Sequence, residues 1–194
     1  ADGVSEGAVV STTGIRTYGR ETSCYVAAHC VATDGDDTQT GFGFSVGRTL
    51  DDLDVSVAAG DAARRATRLL GATKPASGRV TVVLDPYVTA QFLGIIGSTL
   101  SGEAVLKGRS LFADRLGESV AAAGFTLVDD ATNPLAYSSS ETDGEGLASR
   151  RNVLIEGGRL NQFVHNAYTA SRSGTVSTAN AVRGFSSTPS VGCR

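Results

Sequence analysis

Two long runs rich in Tyr, Val, Phe and Thr, residues 15–33 and 37–46, are separated by little more than Asp34-Gly35-Asp36-Asp37. β-branched and aromatic residues favour extended chain, and an Asp-Gly step accepts the positive φ of a tight hairpin turn. Residues 6–13 alternate weakly and are rich in Val and Thr, which reads as a further strand. The opening third is therefore expected to be an antiparallel meander. Its length of 194 residues and 41% hydrophobic content suit one domain, or two small ones, with a packed core.

After the meander the period changes. The spacing predicts a helix over 51–70: Asp51, Asp52 and Asp54 crowd its start and Arg64, Arg65 and Arg68 its end, which complements the helix dipole. Gly71 supplies the stop, and Leu53, Ala62, Ala66 and Leu69 form a thin apolar stripe, so this helix is expected to pack on one side. Residues 79–84, RVTVVL, read as a buried strand. Pro86 then opens a second helix, 86–100, apolar nearly all round and therefore expected to be buried on most faces. Residues 101–118 read as a polar, glycine-punctuated connection, and residues 125–128 as a short strand ending at Asp129-Asp130. Residues 152–155 and 159–164 form a hairpin about Glu156-Gly157-Gly158, and 165–172 a helical turn.

Composition excludes several function classes. No stretch of about 18 apolar residues exists to span a membrane, and the start lacks the basic and apolar regions of a signal peptide. A net charge of −3 argues against a dedicated nucleic-acid binder. The charge is uneven, however: residues 143–194 hold six arginines and three acids. Cys24 and Cys30 share one strand face, too far apart along it to bond, and His29 has the opposite parity. Unpaired thiols fit a reducing compartment, so a cytoplasmic location is expected. The chain contains no methionine, so residue 1 reads as a mid-chain position.

Three constellations carry polar chemistry. Asp143 and Glu145, two apart between glycines and followed by Arg150, fit either an acid/base or metal role or a turn capped by carboxylates. Ser177, Thr178, Asn180 and Arg183 fit either a surface loop or a site presenting polar groups to a peptide or carboxylate. His165, with Asn166 and Thr169, fits an acid/base or hydrogen-bonding group, or a structural histidine. No His-Glu-x-x-His pair and no nucleophile elbow is present.

The order of motifs resembles the TldD/PmbA (TldE) family, also called modulator of DNA gyrase. The residues that carry it are TDGEG at 142–146, NVLIEGGRLNQFVHNAYTASRSGTVSTANAVRG at 152–184, and STPSVG at 187–192. DGDDTQTGF, GRSLFADRLGE and Asp129-Asp130 before Asn133-Pro134 fall in the family's order. The resemblance implies soluble metallopeptidases built from paired TldD-like and TldE-like subunits. TldD-like chains carry a zinc-binding His-Glu-x-x-x-His on a helix shortly before the GRSLF-like segment. The corresponding window here is 93–98, where Leu93 and Ser98 replace the histidines and Gly94 the glutamate. Those residues cannot hold zinc, so the chain resembles the TldE/PmbA branch. No metal or cofactor is expected in this chain, and zinc is expected in a TldD-like partner.

The resemblance also implies chains about twice this length. Residues 1–72 would be a meander and outer helix continuing a missing N-terminal segment, and 73–194 a core domain cut before its C-terminal region. The role of Cys193 is open. The family usually has Gly where Ala179 stands, so a positive φ there would cost stability.

The expected fold is α+β: a mixed, largely antiparallel sheet with a buried helix and an outer helix. The expected function is that of a non-metal-binding subunit of a zinc peptidase acting on unfolded or small peptides. It would pair with a TldD-like subunit or with itself and shape the cleft, without nucleic acid or membrane. Asp143, Glu145 and Arg150 are expected as structural or interface groups. His165, Asn166, Thr169, Ser177, Thr178, Asn180 and Arg183 are expected to line the cleft or interface. Two alternatives are a regulatory module that binds gyrase or another protein, and an enzyme using Asp143, Glu145 and His165.

Overall fold

A computed structural model describes residues 1–194. The chain divides into two compact units, residues 1–6 with 20–82 and residues 7–19 with 83–194.

The first unit is a three-stranded sheet in the order β1 (Asp2–Val10), β2 (Arg16–Asp34), β3 (Asp37–Gly47), with the tip of the β1–β2 hairpin belonging to the second unit. β2 and β3 pair antiparallel from Cys24↔Gly47 to Asp34↔Asp37, and Gly35 takes φ 58° in the turn between them. The helix expected over 51–70 is shorter. A 3-10 turn occupies Leu50–Asp52, and α1 runs Val55–Thr67 with the Asp54 side chain accepting from Val57 N at 2.9 Å. The acids drew the start apart: Asp52 Oδ2 accepts from Arg48 N and Thr49 N, closing its own turn before the helix begins.

α1 buries Ala58, Ala62 and Ala66, one helical ridge of methyl groups, against β3. The approach requires glycine on the strand. A Cβ on Gly43 would lie 2.8 Å from Ala62 N and 3.0 Å from Asp61 Cβ, and one on Gly41 would strike the Ala62 carbonyl. Cys24 and Cys30 lie on the face toward α1, opposite Gly47 and Gly41, as their parity predicts, and both are free thiols.

The second unit is built on a core of Leu100, Leu154, Ile155, Leu160 and Val164, flanked by Ile96, Phe112, Phe125, Leu127 and Phe163. Its sheet has the order β4 (Leu127–Asp130), β5 (Arg151–Glu156), β6 (Arg159–Leu160), antiparallel throughout. The β5–β6 turn uses Gly157 and Gly158 at φ 54° and 81°. α2 (Pro86–Thr99) is followed by α3 (Gly102–Leu106), a short helix inside the segment read as a connection. α4 (Ala167–Arg172) precedes the two-residue pair β7 (Ala181–Val182) and β8 (Ser190–Val191). The class is mixed α+β with antiparallel sheets.

Two elements differ from their sequence pattern. Residues 79–84 enter no strand, and Val80, Val82 and Val83 are exposed. α2 buries only Gly97 fully and leaves Val88, Phe92 and Ile95 exposed, whereas its all-round apolarity led us to expect burial on most faces. Apolar β-branched residues specify a tendency to be covered and paired, but no segment among these 194 residues lies beside them to do it.

Candidate functional site

The sequence-selected residues of the last third converge on one polar knot in the second unit, and three more that sequence reading passed over complete it: Asp129, Asn152 and Arg194. At its centre is Asn180, 1% exposed, with every side-chain capacity used. Its Nδ2 donates to Asp129 Oδ2 at 2.7 Å and to Gly192 O at 3.0 Å. Its Oδ1 accepts from Thr178 Oγ1 at 2.7 Å and Asn152 Nδ2 at 3.1 Å. Asp129, 2% exposed, also accepts from Asn152 Nδ2 at 3.3 Å and from Arg194 N at 2.5 Å. A buried carboxylate is tolerated because N–H groups surround it.

Asp143 works in the same way. Its Oδ1 accepts from Glu145 N and Leu147 N at 2.9 Å each, closing the glycine-rich turn, and its Oδ2 accepts from Ala181 N at 3.0 Å. Glu145 Oε2 accepts from Ala167 N at 2.8 Å, at the start of α4. Asn166 caps that helix by accepting from Thr169 N at 2.8 Å, with Thr169 Oγ1 completing the capping box.

His165 is the hub between these parts. Its N donates to Thr178 Oγ1 at 2.7 Å, and its carbonyl accepts from Thr178 N and Ser177 Oγ. Its Nδ1 pairs with Thr169 Oγ1 at 3.2 Å, and its ring lies where a Cβ on Gly102 would collide with it. Burial lowers the His165 pKa, opposed by a hydrogen bond with the Thr169 backbone. The imidazole is thus neutral at pH 7. A group with a depressed histidine pKa takes up protons more readily unfolded than folded, so it costs stability as pH falls below its ordinary value of 6.5. Urea midpoints measured between pH 7.5 and 5.5 should fall with pH, and His165→Gln should remove part of that fall. The carboxylates of Asp37, Asp52 and Asp130, held low mainly by hydrogen bonds, lose their contribution only below the ordinary 3.8, outside this window.

The loop at the centre of the knot is strained. Ala179 has φ 59°, the only non-glycine residue with positive φ, and is 3% exposed. An L-residue pays about 1–2 kcal/mol there, the cost expected of alanine in place of glycine. Ala179→Gly should therefore stabilise the chain by about 0.5–1 kcal/mol after the extra unfolded-state entropy of glycine is subtracted, measurable as a raised urea midpoint.

The knot turns inward. Asp143, His165, Asn166, Thr169, Thr178 and Asn180 are buried, Glu145 and Ser177 are half-buried, and Arg150 and Arg183 are exposed. Arg150 Nη1 reaches Ser177 O at 3.4 Å, and Arg183 lies against Gly144. Leu93, Gly94 and Ser98 lie on α2, with Gly94 and Ser98 exposed.

The residues present do not fit a zinc ion. No three His, Cys, Asp or Glu side chains converge anywhere in the chain, and Leu, Gly and Ser are not zinc donors. Cys193 Sγ points at the Gly97 carbonyl at 3.8 Å, and no histidine stands beside it. Shielding from water, then the Asp129 carboxylate, pushes that thiol up to about 12, although the residue keeps some contact with solvent.

Comparison with known proteins fits this geometry. Residues 1–70 match the family model for the PmbA/TldA metallopeptidase central domain, and 77–194 the model for the PmbA/TldA metallopeptidase C-terminal domain. A metalloprotease of Methanocaldococcus jannaschii is 34% identical over 174 residues, covering 86% of this chain and 38% of that protein. The crystal structure of TldE from Thermococcus kodakarensis superposes with TM-score 0.78 at 28% identity, over 99% of this chain and 44% of that one. A Thermotoga maritima structure named for modulation of a DNA gyrase gives TM-score 0.78 at 26% identity, over 100% of this chain and 43% of that one. The chain thus spans less than half the length of each of these relatives. With both of its domains matched, the chain belongs to the TldD/PmbA family of metallopeptidases.

Proposed function

We propose that this chain serves as the subunit without a metal motif in a TldD/TldE-type peptidase complex that cleaves unfolded or small peptides in the cytoplasm. The single observation that carries the reading is the donor set of α2. At the positions where the family resemblance places His-Glu-x-x-x-His, the helix presents Leu93, Gly94 and Ser98. A peptidase of this class needs a metal to activate water, so catalytic zinc would reside in a TldD-like partner.

The role left to this chain is to shape the cleft. The polar knot is the rigid support, holding α4, the 177–181 loop and the β7–β8 pair together through buried side chains. The exposed Arg150 and Arg183 are the groups available to a peptide carboxylate or to the partner, with Ser177 and Glu145 at the margin. Guanidinium groups suit that task because their fork matches a carboxylate. The test is co-expression with a chain that carries the histidine motif. Recovery of a zinc-containing, peptide-cleaving complex supports the proposal. Recovery of gyrase instead, with no such chain, would favour a regulatory module.

A further inference from the structure

The turn that joins β7 to β8 carries the most exposed aromatic side chain of the chain, Phe185 at 92%. The turn is fixed. Ser187 N donates to Gly184 O at 3.4 Å and Ser187 Oγ accepts from Gly184 N at 2.9 Å, which puts Phe185 at a corner of the turn. Its base is fixed too: Val182 pairs with Ser190, Ser190 Oγ donates to Val182 O at 3.0 Å, and Asn166 Nδ2 donates to Pro189 O at 3.2 Å. A ring held in water by a braced turn buries nothing within its own chain.

Arg183, two residues earlier, is an exposed and unused cation. Its stem lies over Gly144, where a Cβ would come within 3.0 Å of Arg183 Cγ. Carboxylates precede and follow Gly144, yet the guanidinium forms no ion pair or hydrogen bond. The acids of residues 143–194 all serve other donors: Asp143 the amides of Glu145, Leu147 and Ala181, Glu145 the amide of Ala167, and Glu156 the Asn161 side chain. Tyr168, 68% exposed, stands at the start of α4, which the bond from Asn166 to Pro189 ties to the same hairpin.

We propose that Arg183 and Phe185 recognise the C-terminal residue of a short peptide, Arg183 through the free α-carboxylate and Phe185 through an apolar side chain. This recognition rests on the reading of the chain as a subunit that shapes a peptide cleft, and gives that cleft its substrate class: peptides with a free carboxyl end and an apolar last residue. Area selects a peptide over a second subunit. Two aromatic rings and one guanidinium offer on the order of 500 Å², against the ~800 Å² that each partner of a stable protein interface buries. Spacing selects the C-terminal carboxylate over an Asp or Glu side chain. Residues two apart have Cα atoms at most about 7 Å from each other, and a C-terminal residue carries its carboxylate and its side chain on one Cα. An internal Asp or Glu spends its side chain on the arginine and leaves the ring to another residue. The guanidinium fork matches the two carboxylate oxygens, and the braced turn loses little freedom on binding.

Fluorescence anisotropy of the 194-residue chain with an N-terminally labelled alanine peptide ending in leucine tests this. The free acid should bind, and its C-terminal amide at least about tenfold more weakly, the size of one lost charge-assisted contact. Arg183→Gln should remove the preference for acid over amide, whereas Phe185→Ala should weaken both forms and keep it. Arg109→Gln, at an exposed arginine elsewhere in the second unit, should change neither. Arg183 and Phe185 are exposed, so far-ultraviolet circular dichroism of their variants should match the wild type. Equal binding of acid and amide overturns the proposal, as does a preference that survives Arg183→Gln, or no binding of the free acid at millimolar concentration. An amidated peptide with glutamate before the leucine that binds as tightly as the free acid also overturns it, by assigning Arg183 to side-chain carboxylates. The measurement needs neither zinc nor a second subunit, so its failure overturns this recognition alone, and co-expression decides the subunit role separately.

Discussion

Asp129→Ala should destabilise the second unit by about 3–5 kcal/mol, the cost of stripping one partner from a buried charged network. The carboxylate serves Asn180 Nδ2, Asn152 Nδ2 and Arg194 N at once. Without it one N–H of Asn180 and the half-buried Arg194 N lose their acceptor, Asn152 Nδ2 keeps only Thr178 O and Asn180 Oδ1, and the strained Ala179 loop loses the anchor of its neighbour. Chemical denaturation of the variant checks the magnitude. Asp129→Ala and Asn180→Ala should be strongly non-additive, because each removes the same 2.7 Å bond. A cost under about 1 kcal/mol, the range of ordinary surface substitutions, would show that the knot does not hold the loop.

Gly43→Val should be of similar size in the first unit, about 3 kcal/mol or more, because overpacking against backbone has no cheap relaxation. A Cβ on Gly43 meets the Ala58 carbonyl and lies 2.8 Å from Ala62 N. The helix must move off the strand, exposing Ala58, Ala62 and Ala66 together. Thermal unfolding reads the effect. Gly60→Ala, on the same helix with nothing within 4 Å of its Cβ, should raise stability instead. Loss of stability in both variants alike would mean that the α1–β3 contact is not close-packed.

The sequence spoke most clearly where structure is local. The Asp34-Gly35 turn, the hairpin at Gly157-Gly158 and Pro86 at the start of α2 all depend on a few neighbouring residues, and all three are present. The short α3 was missed because a five-residue helix has too little period to detect. The two-residue strands β7 and β8 exist only through pairing with each other. The exposed segment 79–84 and the bare side of α2 show the reverse error: apolarity is written in the residues, and the presence of a covering neighbour is not.

The site divides in the same way. His165, Asn166, Thr169, Thr178 and Asn180 were legible as a polar group, and Ala179 as a glycine position. Their inward orientation was not. Polar side chains near one another look alike whether they face a ligand or one another, and only the geometry shows each bond already made within the chain. In the sequence Asp129 reads as the end of a strand. Its partners Asn152, Asn180 and Arg194 lie 23, 51 and 65 residues away, beyond any local pattern. The one signal available was a pair of acids closing an apolar strand, where one of the two must face the core.

The central claim is that this chain contributes the fold of a metallopeptidase family without that family's metal centre. Zinc analysis of the purified chain, alone and then in complex with a histidine-bearing partner, tests it most directly. The expected result is no stoichiometric zinc on the chain alone, with zinc and chelator-sensitive peptide cleavage appearing together in the complex. Stoichiometric zinc on the isolated chain, or peptide cleavage by it that a chelator abolishes, would contradict the claim.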